Sequence, residues 1–320
     1  MRWDIAASAV IRGNSMRFSF ILLLSMMIFT ASAHADKISP RGDVAGKLTT
    51  YNIVADEDLY DIAHHFDIGV NEIRYANPGV NPWKPKATRA ILIPSLYVLP
   101  QKRQGIVINL PELRLYYYHP NGDVYTFPVA IGRDGWDTPV TTTKIVKKRK
   151  DPIWIPTDSI RAEDPTLPDF VPAGPKNPLG KYALNLGIPG FALHGTLAPR
   201  TIGTRASHGC LRMYPKDIEA LFNLVEVGTP VAIVDEPYKL GWRGRELFVE
   251  LPPGKRNAAE RKATIAAITR LVVKFAGNQA TIDADALAQA VTASDGIPVA
   301  IGKRGLFASA TSKVTSLFHE

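Results

Sequence analysis

The 320-residue sequence contains a single cysteine, Cys210. With no second thiol to pair with it, an internal disulfide framework is excluded. No metal-ligand cluster stands out either. His64 and His65 are neighbours on a helix-like segment, where successive side chains point about 100° apart, too far to share one ion. Only one long apolar run occurs, residues 18–31. Its 14 residues fall short of the roughly 20 needed to cross a bilayer as a helix, so no stable membrane span is expected in the mature chain. The formal charge is +8, yet no nucleic-acid-binding motif accompanies it, and a nucleic-acid partner is not expected.

What is present begins with a targeting segment. Arg12 and Arg17 precede the apolar run, which closes on the small residues Ala33-His34-Ala35. This is the pattern of a cleaved signal peptide, predicting export and a mature chain that starts near Asp36. Loss of Arg2, Asp4, Arg12 and Arg17 with it lowers the formal charge from +8 to +6, a moderate positive field suited to an anionic polymer or surface. In an oxidising compartment an unpaired thiol is a liability. A solitary Cys210 in an exported chain therefore either forms an intermolecular disulfide or has its thiol used.

Composition excludes global disorder: 46% of residues are hydrophobic and 9% aromatic. The 25 prolines and 24 glycines indicate strands and turns rather than a helical bundle. Residues 36–48 are polar, without apolar periodicity, and read as a linker. Residues 49–95 read as strand, helix, helix, strand. Asp58 caps the first helix, with Leu59, Ile62, Ala63 and Phe66 on one face, and Asn77-Pro78-Gly79 ends the second. Residues 105–236 are dominated by β-branched and aromatic runs, including a hairpin at Asn121-Gly122. Pro128 in the return strand predicts an edge or a bulge. One helix is expected over 215–225. The whole reads as a mainly β catalytic domain of sandwich or barrel-like form. Residues 237–320 read as a partly helical C-terminal extension, with amphipathic helices over 258–276 and 283–291.

The chemistry concentrates in residues 191–213. A free thiol near its ordinary pKa of about 8.5 is only a few per cent thiolate at neutral pH, and a nearby imidazole that takes its proton makes it a competent nucleophile. Two histidines compete for that part. His208 lies two residues before Cys210, and in an extended segment both side chains share one face. His194 ends a predicted strand sixteen residues upstream, on a turn able to face the thiol across the sheet. Gly195 and Gly209 allow backbone amides to approach a reacting carbonyl, as an oxyanion hole requires. Ser207 is placed to orient an imidazole, and Arg212 to bind a substrate carboxylate.

These residues also carry two resemblances. Tyr51-x-Ile53-Val54, Asp58-Leu59-x-x-Ile62-Ala63, Ile73-x-x-Ala76-Asn77-Pro78 and Ile91-x-Ile93-Pro94 resemble a LysM domain, which implies binding to N-acetylglucosamine-containing glycan, mainly peptidoglycan. The block departs from that pattern at residues 55–58, where the family carries a glycine-containing turn. His194-Gly195-Thr196, Gly203 and Ser207-His208-Gly209-Cys210-Leu211-Arg212-Met213 resemble the YkuD-type L,D-transpeptidases over residues 105–236. Phe170-Val171-Pro172-Ala173-Gly174-Pro175 and Asn177-Pro178-Leu179-Gly180 are similar to the branch that attaches Braun's lipoprotein to peptidoglycan.

The second resemblance implies a periplasmic enzyme in which Cys210 acylates on a tetrapeptide stem at meso-diaminopimelate and releases D-alanine. The acyl group then passes to an amine, either a lipoprotein lysine or another diaminopimelate. It implies His194 as proton acceptor and donor, His208 in a structural or oxyanion-side place, and the amides of Gly209 and Cys210 as oxyanion donors. It also sets Gly195 and Thr196 with Arg212 beside the substrate, implies that carbapenems acylate the same thiol, and requires no cofactor or metal. Two alternatives stand beside it: a hydrolase of the same bonds, and a glycan-binding envelope protein without catalysis.

Overall fold

The computed structural model describes residues 37–305 apart from residue 55 and residues 87–89. The proposed signal segment, residues 1–35, lies outside the described residues. The described residues belong to one compact unit, so the three expected regions are joined by packing as well as by sequence.

The central element is a nine-stranded mixed sheet. From one edge its strands run Lys37–Ile38, Val124–Pro128, Arg114–Tyr118, Gly105–Asn109, Pro230–Val234, Thr141–Lys150, Tyr182–Leu186, Ala192–His194 and Leu211–Arg212. Two neighbour pairs are parallel, Pro230–Val234 with Gly105–Asn109 and Ala192–His194 with Leu211–Arg212; the rest are antiparallel. The strand runs are β-branched and aromatic because most are buried. Ile106, Ile108, Leu115, Phe127, Leu184, Leu193, Leu211 and Val231 meet in one core. The helix Pro215–Leu224 packs on Tyr182–Leu186 through Ile218 and Leu221, and Pro215 suits a helix start because its missing N–H has no partner there in any case. Pro128 stands beyond the two residues at which Lys37–Ile38 covers its strand, so its absent donor leaves no gap in the ladder.

Residues 36–48 are not the linker expected from their polarity. Lys37–Ile38 extends the central sheet, Pro40–Arg41 pairs with Val44–Asn52, and the latter pairs along its length with Ala90–Val98. Ile38, Val44 and Ala45 are buried, too few apolar residues for periodicity to register in a polar stretch. Between the two long strands lie the helices Leu59–His65 and Val70–Ala76. Asp58 caps the first by accepting from the amides of Tyr60 and Asp61.

The C-terminal region is more than helical. Lys239–Arg243, Glu246–Glu250, Val299–Arg304 and Ala280–Ile282 form a four-stranded antiparallel sheet, covered by Ala258–Ala276 and Ala284–Ala293. The strands escaped sequence reading because the two helices lie between the hairpin and Val299–Arg304, the strand that pairs with it. Buried Lys239 joins this sheet to the rest of the unit. Its ammonium pairs with Glu112 and, at 3.0 Å, with Glu250, whose carboxylate also accepts the Val98 amide.

The helical block at residues 59–76 docks on the catalytic sheet through a close backbone contact. Val70 N–H donates to Ile202 O at 2.9 Å, and buried Arg114 pairs with Glu72 at 2.8 Å while Tyr214 donates to Ile68 O at 3.1 Å. Gly203 takes φ +85°, and a Cβ there would lie 2.4 Å from Gly69 Cα and 2.6 Å from Val70 N. Gly203→Ala is therefore expected to force the block off its seat, at about 2–4 kcal/mol. Thermal unfolding should show Tm lower by roughly 5–10 °C; an unchanged Tm would mean the contact is not made.

Candidate active site

The loop of residues 195–210 leaves the strand Ala192–His194 and returns beside it as Leu211–Arg212, in parallel register with Leu193 opposite Leu211 and His194 opposite Arg212. Extended one residue, that register sets Cys210 beside Ala192. Side chains two residues apart on a strand share a face, so Cys210, Arg212 and His194 project to one side of the sheet. All three line a cleft of about 470 Å³ walled by Trp136, Trp154, Phe191 and Arg149.

Cys210 is half-buried, and its thiol donates to Gly190 O at 3.3 Å. Burial pushes the Cys210 thiol above its ordinary value, opposed by a hydrogen bond from the Ala192 backbone and by the charges of Arg212 and Arg149. His194 is buried, and its Nδ1 lies 2.6 Å from Gly195 O. A carbonyl only accepts, so Nδ1 carries the proton and Nε2 is the acceptor. Burial lowers the His194 pKa to about 4, against the opposing pull of the Gly195 carbonyl. At neutral pH Cys210 is thus a thiol and His194 a neutral imidazole, the protonation states that a nucleophile and a general base need before attack.

His208 lines the same cleft, but regular strand alternation does not place it there. Gly209 adopts φ +99°, which breaks the strand alternation between them. His208 Nε2 instead lies 3.2 Å from both Glu163 and Arg133, and its ring stands edge-on to Trp136 at 4.7 Å. Glu163 reaches it from a short helix, Asp158–Glu163, that the sequence had not suggested.

Ser207 does not orient an imidazole. Its hydroxyl donates to Cys210 O and accepts the Gly209 amide at 3.1 Å, closing the turn that presents the thiol. Thr138 fastens the same turn from behind, its hydroxyl donating to Gly209 O at 2.8 Å. Gly195 supplies the carbonyl that holds His194, and the Thr196 hydroxyl accepts the Ala198 amide; neither lines the cleft. Arg212 does line it.

Sequence reasoning missed Arg149 and Trp136. Arg149 sits within Lys147-Lys148-Arg149-Lys150, a run that reads as a solvated charged face. Only pairing with Tyr182–Leu186 shows that this position turns inward, with its Nε donating to Asn185 Oδ1 at 2.9 Å. Among the described residues no group of acids, histidines and cysteine is arranged to hold a metal ion.

Residues 103–233 match the YkuD family, the L,D-transpeptidase catalytic domain. Over 256 residues the chain is 39% identical to the probable L,D-transpeptidase YbiS of Escherichia coli K12, covering 76% of this chain and 83% of that protein. It is 37% identical over 266 residues to the probable L,D-transpeptidase ErfK/SrfK of the same strain, covering 78% and 85%. A third relative, the probable L,D-transpeptidase YcfS, is 38% identical over 235 residues, covering 70% and 73%.

Proposed function

The chain belongs to the L,D-transpeptidase family, and from that premise we propose that it cross-links peptidoglycan stems through a thioester on Cys210. The observation that carries this reading is the strand register that sets Cys210, His194 and Arg212 on one face of a single cleft. In the first half-reaction the Cys210 sulfur attacks the carbonyl joining meso-diaminopimelate to the terminal D-alanine of a tetrapeptide stem. His194 Nε2 takes the thiol proton and returns it to the departing D-alanine amine as the C–N bond breaks. In the second half-reaction an amine attacks the thioester and gives its proton to His194, and the sulfur leaves as a thiol. The acceptor is a lipoprotein lysine or another stem's diaminopimelate. The Cys210 amide faces the developing oxyanion. Gly209 N–H is engaged by Ser207 Oγ and holds the turn that aims that amide.

The polymer and the compartment belong to the same proposal. Residues 49–95 bind glycan as a LysM-type module. Supporting this are their strand, helix, helix, strand order and the Asn77 side chain, which bonds to Ile73 O and to both backbone groups of Leu92. Residues 1–35 direct export to the periplasm, as their charged and apolar pattern indicates. No helix among the described residues is long and apolar enough to cross a membrane.

The test incubates the purified protein with tetrapeptide stems, with and without an amine acceptor. Release of D-alanine coupled to a cross-linked product is the expected result. Free tripeptide in the presence of abundant acceptor would identify a hydrolase instead. Neither product, and no carbapenem adduct on Cys210, would leave a glycan-binding protein.

A further inference from the structure

We propose that Arg149 and Arg212 together form a receptor for a carboxylate of the acyl donor, with Arg149 the member that sets donor specificity. The proposal rests on the transpeptidase reading and adds a substrate group that the cleft reads. Three arginines reach this region, and they differ in what neutralises them. Arg133, at the rim, is paired with Glu163. Among the described residues Arg149 donates only to neutral oxygens, Asn185 Oδ1 at 2.9 Å and Ile153 O at 3.1 Å. Among the described residues Arg212 has no hydrogen-bond or ion-pair partner for its guanidinium, and no acid acts on either arginine; the one negative charge that would favour both is a Cys210 thiolate, which the resting thiol does not carry.

Both guanidinium groups are half-buried and line the cleft that holds the thiol. Withdrawing two like charges from water without a counter-ion is unfavourable unless a ligand supplies one. A guanidinium presents a planar fork of donors matched to a carboxylate, and two of them offer more donors than one carboxylate can use. The Arg149 fork is also pre-set, since Asn185 and the Ile153 carbonyl fix its plane before anything binds. Trp154 and Phe191 form apolar wall around it, where a charge-assisted hydrogen bond discriminates more strongly than in open water.

A stem peptide bears two carboxylates near the scissile carbonyl, that of the terminal D-alanine and that on the diaminopimelate side chain. The experiment therefore uses three tetrapeptide donors: the free acid, the terminal carboxamide, and the form amidated on the diaminopimelate side chain. Initial rates of terminal-residue release give kcat/KM for each. The intact protein is expected to prefer the free acid over one of the two amides by about tenfold to hundredfold, and the amide it rejects identifies the carboxylate bound.

Arg149→Gln should shrink that preference to within about threefold, by the same reckoning of one charged hydrogen bond. Arg149→Lys, which keeps the charge without the fork, should fall between and covers the case in which Arg149→Gln does not fold. Lys147→Gln, which removes a charge two positions away on the same strand, should keep the preference in full. Alkylation of Cys210 by iodoacetamide is followed in parallel. A uniform loss on all three donors together with slowed alkylation would mean Arg149 acts on the thiol alone, and would overturn the receptor. So would an undiminished preference in both Arg149 variants, or an intact protein that accepts all three donors equally. Failure of the intact protein to release anything from any donor would refute the transpeptidase reading itself.

Discussion

Cys210→Ala is expected to lose acyl-enzyme formation altogether and to reduce D-alanine release by at least about 10⁴-fold. Mass spectrometry after carbapenem treatment should show an adduct on the intact protein and none on the variant. The sequence holds no other thiol, so no neighbouring sulfur can substitute. The loss should come without a loss of fold. Cys210 is half-buried, and its side chain makes one hydrogen bond, to Gly190 O. The turn around it is held by Ser207 and Thr138 through backbone groups that the substitution leaves in place. Retained turnover by a folded Cys210→Ala protein would refute the thioester route.

His194→Gln is expected to lower kcat/KM by about 10²–10⁴-fold, the range of general acid–base help, while His208→Gln costs about tenfold or less. The reason lies in what each imidazole faces. His194 Nδ1 is committed to Gly195 O and its other nitrogen is left to accept. His208 Nε2 is committed to Glu163 and Arg133 at the rim. The reverse order of losses would mean that the wrong imidazole has been assigned. With its pKa lowered to about 4 by burial, His194 stays neutral through mildly acidic conditions, so the acid limb of kcat/KM should fall near pH 4 rather than near 6.5.

The same depression has a consequence for stability. In the unfolded chain the imidazole protonates near pH 6.5, whereas in the folded one it does so only near pH 4. Between those values the unfolded state binds the extra proton, so stability is fully present above pH 6.5 and is lost as pH falls toward 4. The full drop corresponds to about 3 kcal/mol. Denaturant unfolding at pH 7 and pH 5 should show this slope in the intact protein and a shallower one in His194→Gln. Equal slopes would place the imidazole in a wetter setting than the structure describes.

Most of the catalytic strands were legible because they are β-branched or aromatic runs, and the long helix Ala258–Ala276 because its apolar spacing is regular and Asn257 caps it. Residues 36–48 misled because strand pairing there rests on three buried side chains, Ile38, Val44 and Ala45, in an otherwise polar stretch. The C-terminal sheet was missed for a different reason. Lys239–Arg243 and Glu246–Glu250 form a hairpin across Gly244, but the strand beside it, Val299–Arg304, arrives about 50 residues later, and no local pattern announces so distant a neighbour.

Taken alone, the sequence singled out the candidate nucleophile: one cysteine, set in Ser207-His208-Gly209-Cys210, with His194 and Arg212 in the pattern around it. Local chemistry could go no further, because spacing along the chain measures proximity only while the backbone stays regular. The positive φ of Gly209 turned His208, the nearer histidine, toward Glu163 and Arg133. Parallel pairing of Ala192–His194 with Leu211–Arg212 brought the more distant one onto the Cys210 face. Tertiary structure alone also decided that Arg149, one cation in a run of four, turns into the cleft, because which side of a strand faces inward is set by the strands it pairs with. It decided as well why Gly203 belongs to the pattern: two backbones meet there with no room for a side chain.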